Sequence, residues 1–137
     1  MSWNACNKAL DKHLLVLVKD KKKVQLQNEG FTPVVNQLYY RVSLMPSGTT
    51  PATCADAFIS MHGIYQITVV APGTGGSEPG LSAVDALVAH FDRKKLQNQG
   101  ITLICSTPVP GPALRENAQD NVWWQIPVTI RFQTLGG

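Results

Sequence analysis

GIYQITVVAPGTGGSEPGLSAVDALVAHF, residues 63–91, decides the fold, because it runs from an alternating segment through a glycine-rich loop into a segment of helical period. Tyr65, Ile67 and Val69 fall on one face and Gln66 and Thr68 on the other. That is a half-buried strand, unlike the continuously apolar strands of a doubly covered parallel sheet, and it argues against a Rossmann-like nucleotide fold. After the loop, Leu81, Val84, Leu87, Val88 and Phe91 recur at helical spacing and leave Ser82, Asp85 and Asp92 outward. A helix with one apolar stripe next to a strand with one apolar face predicts a helix packed on a sheet, with Leu87 and Phe91 in the interface.

The loop between them resembles a phosphate cradle and lacks its chemistry. Gly75, Gly80 and Ser82 take the spacing of a phosphate-binding loop, but Leu81 stands where the phosphate-contacting lysine belongs and Glu78 adds a negative charge. A cradle aims N–H groups and a cation at an anion, so a carboxylate there opposes binding. The loop therefore reads as a connection, with Ser77 as N-cap and Glu78 and Pro79 in the first helical turn.

Outward from this stretch, Trp3, Cys6, Leu10, Leu14 and Leu17 mark a helix from Ser2 to about Val18. Val24 to Gln27 is a weak strand. Tyr39 to Met45 is a strong one, with Tyr40, Val42 and Leu44 opposed to Tyr39, Arg41 and Ser43. A Ser, Gly, Thr and Pro segment after Pro46 predicts a long loop to about Asp56, and Phe58 to Val70 resumes extended structure with a bend at Gly63. Ile101 to Ser106 is a short strand. Thr107 to Asn121 carries three prolines without periodicity and predicts a second long loop. Val122 to Gln133 alternates Trp124, Ile126, Val128, Ile130 and Phe132 against Gln125, Thr129 and Arg131, and Pro127 within it predicts an edge strand or a bulge. The order defines an α+β fold: a mostly antiparallel or mixed β-sheet with two helices packed on one face, in one domain over residues 1–137.

Composition narrows the functional classes. The longest apolar runs, such as Leu14 to Val18, are far below the roughly 20 residues of a membrane-spanning helix, and the N-terminus lacks a signal-peptide pattern, which together predict a cytoplasmic address and no membrane partner. Cys6, Cys54 and Cys105 form neither a disulfide framework nor a zinc pattern, and His13, His62 and His90 have no metal-site spacing. No serine elbow and no paired carboxylates occur. Cys105 with a distant histidine allows a thiol catalytic pair only in the sense that any chain holding a cysteine and a histidine does, and no motif supports it. The expectation is a protein without catalytic residues, metal or cofactor.

The net charge of +3 gathers in Lys19, Lys21, Lys22 and Lys23 after the first helix and in Arg93, Lys94 and Lys95 after the second. Cations at helix C-termini complement the macrodipole, by roughly 0.3–1 kcal/mol each. The alternative is one basic surface against nucleic acid or an acidic protein, although the exposed aromatics of a single-strand binder are missing around it.

Taken in order, Phe31-Thr32-Pro33, YYRVSLMP at residues 39–46, GIYQITVVAPGTG at 63–75, AVDALVAHF at 83–91, LQNQGITL at 96–103 and WWQIPVTIRF at 123–132 resemble the tail terminator proteins of long-tailed bacteriophages. The resemblance covers nearly the whole chain. It implies a structural virion protein, assembled in the host cytoplasm, that forms a six-membered ring with copies of itself. Such a ring would cap the tail tube protein, end its polymerisation and meet a head-completion protein, with no specific nucleic acid as partner. Arg115, Glu116, Asp120, Arg131, Lys94 and Lys95 are the expected oligomer or tube contacts. The alternatives are a head-to-tail connector or head-closure protein, and a small basic nucleic-acid-binding domain.

Overall fold

The computed structural model describes residues 3–19, 24–26, 37–51, 59–73, 78–98, 101–118 and 121–135. Helix α1 spans Trp3–Val18, followed by β1 (Val24–Gln25), β2 (Tyr39–Pro51) and β3 (Ile59–Pro72). Helix α2 (Glu78–Phe91) then leads to β4 (Lys95–Asn98), β5 (Ile101–Cys105), β6 (Val109–Pro110), β7 (Leu114–Ala118) and β8 (Asn121–Leu135). The fold is α+β, with the eight strands in one mixed sheet of order β1-β2-β3-β8-β5-β4. Strands β6 and β7 also pair with β8, and β1 is the one strand of a parallel pair, with β2.

The alternation in the sequence is realised residue by residue. Tyr65 pairs with Ile130, Ile67 with Val128 and Val69 with Ile126, and on the other flank Val42 pairs with Ile67. All of these are buried in one apolar core that also takes Leu10 and Leu14 from α1 and Val84, Leu87 and Phe91 from α2. Both helices therefore cover the same sheet face. At roughly 1.5–3 kcal/mol per fully buried large aliphatic or aromatic side chain, this core carries most of the favourable folding free energy.

The other face mixes polar residues with Met45, Ile64 and Ile104 and carries a small buried cluster of Tyr39, Val70 and Trp123, in which the Tyr39 and Trp123 rings meet edge to face with centroids 5.8 Å apart. Arg41 donates to the Tyr39 hydroxyl at 3.2 Å. Thr134, a buried polar residue, accepts the Met61 N–H at 2.8 Å, so its burial leaves that oxygen satisfied.

Several expectations fail for identifiable reasons. Residues 47–51 are not loop: β2 continues to Pro51 against β3, and a register shift between Pro46 and Gly48 accommodates the proline. Thr107 to Asn121 is not one long loop either, since β6 and β7 lie within it and pair with β8. Their segments are too short for any period to register. Strand β4, which pairs with β5, was hidden in the basic segment following α2.

Pro127 is in the most central strand rather than at an edge. It faces Thr68 of β3 on one side. On the other side its carbonyl accepts the Gly111 N–H at 2.7 Å, in the interval between the β6 and β7 pairings. The N–H and C=O of a strand residue point the same way, so the proline's missing donor faces this interval and removes nothing from the β3 ladder. The expected N-cap Ser77, the loop glycines Gly75 and Gly76, and Cys54 lie outside the described residues.

Candidate assembly surface

Helix α2 settles on the sheet through Gly80, Val84, Leu87 and Phe91. Gly80 permits the close approach, because a Cβ there would stand 3.2 Å from Ile126 Cδ1 and 3.5 Å from Ala71 Cβ. With Gly80 on the buried face, Leu81 is rotated about 100° away and is 52% exposed, contrary to its expected place in the buried stripe. It forms one lip of an apolar pocket of about 340 Å³ shared with Ala71, Gly73, Gly80, Ala113, Trp124 and Ile126. A second, polar hollow of about 440 Å³ lies on the helix-free face and includes Gln25, Arg41, Ser43, Gln66, Thr68 and Gln125.

The helices converge at their C-terminal halves through two histidines that are 77 positions apart. The His13 and His90 rings stack with centroids 3.9 Å apart and an interplanar angle of 9°. Nε2 of His13 lies 2.8 Å from the His90 carbonyl, and Nε2 of His90 lies 2.6 Å from the His13 carbonyl. Carbonyls only accept, so each Nε2 carries the hydrogen and donates across to the other helix. Burial lowers the His13 pKa, and the charges of His90 and Lys94 lower it further against the opposing effect of the His90 carbonyl. Sequence spacing could not reveal this pair, which is a structural clasp rather than a metal site. No cluster with metal-ligating composition occurs among the described residues.

Beside the clasp, the fully buried Tyr65 donates its hydroxyl hydrogen to Asp11 of α1. Burial and the Asp11 charge raise the phenol pKa well above its ordinary value. Cys105 is also fully buried, and burial pushes its thiol up to about 12, so at neutral pH it is protonated and unsuited to nucleophilic attack. Burial raises Cys6 likewise.

The six charged residues expected at contacts are dispersed. Lys94, in the turn after α2, and Lys95, which opens β4, are exposed, as are Arg115 of β7 and Arg131 of β8. Glu116 stands in β7 opposite Trp123, and Asp120 lies outside the described residues. Register puts Lys95, through Ile104 and Gln133, on the same helix-free face as Arg131. Arg115 is opposite Trp124, whose row belongs to the helix-covered face, at the other end of β8. The missed feature is apolar: Val16, Leu81, Val109 and Leu114 are large hydrophobic residues each more than half exposed. Leu81 could have been found from the glycine before it, which claims the buried position.

This is an α+β protein of one helix layer on one mixed sheet, with its distinctive chemistry on outward surfaces. The profile of the family described as Phage tail terminator protein matches residues 5–132, and the chain belongs to that family. The family is one of structural tail proteins, which makes the chain a virion component. Among solved structures, a protein without a functional description superposes with a TM-score of 0.77 at 23% identity, covering 98% of this chain and 96% of that one. A chain from the virion of a native gene transfer agent particle gives a TM-score of 0.63 at 15% identity, covering 99% of this chain and 100% of that one. At these identities the likeness establishes the fold. Comparison with curated proteins gives no match.

Proposed function

We propose that residues 1–137 act as one tail terminator domain that closes into a ring, caps the end of a finished tail tube, stops its polymerisation and presents a surface for head joining. The observation that carries this reading is the family match across residues 5–132, and the virion chain of the same fold supports it. A hexamer is the expected ring, with the tube protein and a head-completion protein as partners after assembly in the host cytoplasm. The exposed cations Lys94, Lys95, Arg115 and Arg131 are proposed to contact the tube or the neighbouring subunit, together with Glu116 and Asp120. Electron microscopy of tail tubes polymerised with and without the purified protein tests the proposal. Tubes of defined length ending in a ring are expected, and lengths that ignore the protein would refute it.

A further inference from the structure

Helices α1 and α2 each turn one charged stripe to solvent, and the two stripes match in sign and in spacing. On α1 the exposed series is Lys12, Val16 and Lys19, with Lys19 the first residue beyond the helix. On α2 it is Asp85, Leu81 and Glu78. Read in opposite directions, both series step by four residues and then by three, so each spans about 10 Å at 1.5 Å per residue. Val16 is 62% exposed and Leu81 52%, and Leu81 borders the 340 Å³ apolar pocket. Arg93 pairs with its neighbour Asp92, and among the described residues none of these four charges takes part in a salt bridge.

The stripes do not meet within one copy. The first turn of α2 rests by Gly80 on Ala71 and Ile126, near the end of β3 and the start of β8, whereas α1 packs against β4 and β5, and β5 pairs with the last residues of β8. Neither Lys12 with Asp85 nor Lys19 with Glu78 forms an ion pair within one copy.

We propose that the α1 stripe of one copy docks antiparallel on the α2 stripe of a second copy. Lys12 then meets Asp85, Val16 meets Leu81 at the pocket, and Lys19 meets Glu78, with each copy using its two stripes on two different neighbours. The use of two neighbours rests on the ring proposed above, since contacts between unlike patches close into rings. The antiparallel direction is the closer match in register. With Val16 still opposite Leu81 in a parallel arrangement, Lys12 and Lys19 would each stand one residue, about 1.5 Å, out of step with Glu78 and Asp85.

The test is disulfide or short thiol cross-linking of the full chain carrying Val16→Cys and Leu81→Cys in a Cys54→Ser background, at low salt, alone and on tail tubes. A covalent ladder extending beyond the dimer is expected. The two single-cysteine variants should give a dimer only when mixed. Lys12→Glu or Asp85→Lys should each reduce the yield severalfold, and the two combined in one chain should restore it, which a misfolded variant cannot do. No ladder under either condition, adducts that stop at dimers, or equal yields in all charge variants would overturn the contact. Tube length, measured in parallel with the unmodified protein, separates the two ideas: regulated tubes without a ladder reject the contact alone, and a ladder with unregulated tubes rejects the terminator reading alone.

Discussion

Replacing Gly63 by alanine should destabilise the fold, and the cost should depend on Phe132. Gly63 pairs with Phe132 across β3 and β8, and a Cβ at Gly63 would lie 2.5 Å from Cζ and 2.8 Å from Cε1 of that ring, against 3.4–4 Å for an ordinary contact. The ring is 3% exposed and meets Trp3 edge to face at 6.4 Å, so it must yield by about 1 Å against packed neighbours. Such overpacking costs about 1–3 kcal/mol, and alanine returns about 0.4–1 kcal/mol by restricting the unfolded chain. The expected net loss is about 1–2 kcal/mol. Urea unfolding of the wild type, Gly63→Ala, Phe132→Leu and the double variant measures it as a cycle. Leucine lacks the two clashing ring atoms and leaves the 3.3 Å approach to the Met45 carbonyl, so in its presence the alanine should cost much less. A Gly63→Ala protein as stable as the wild type, or an equal cost in both backgrounds, would refute the steric argument.

Leu87→Ala and Phe91→Ala should each cost about 2–5 kcal/mol, since both side chains are fully buried; unchanged thermal midpoints would contradict their place in the core. Tyr65→Phe removes a donor to a carboxylate and should cost about 1.5–3 kcal/mol in denaturant titrations. The raised phenol pKa gives stability that is complete below the unfolded value of about 10 and is lost as pH rises through the folded value, so the same variant should flatten the alkaline limb of the stability profile. His13 has the opposite sign: its depressed pKa gives stability present above about pH 6.5 and lost as pH falls through the folded value. The fall in unfolding free energy between pH 7.5 and pH 5 should therefore be smaller in His13→Gln than in the wild type, and equal falls would remove His13 from the acid response.

What the sequence determined by itself is every feature that repeats at a fixed period. The apolar rows Tyr65-Ile67-Val69 and Ile126-Val128-Ile130, the stripe Leu10-Leu14 and the stripe Val84-Leu87-Phe91 were legible because a face that must leave water imposes its period on neighbouring residues. The α+β class followed from their order, and the family from the blocks in which they stand. Tertiary structure decided whatever joins residues far apart in the chain. β6 and β7 exist as strands because β8 offers backbone partners to segments too short to show a period, and the same pairing gap accommodates Pro127 in a central strand. The His13–His90 clasp required two helices to converge across 77 positions. The exposure of Leu81, and with it the candidate contact surface, followed from one glycine turning the helix by a single residue, because backbone proximity at Ala71 and Ile126 outweighs the apolar preference of the next side chain.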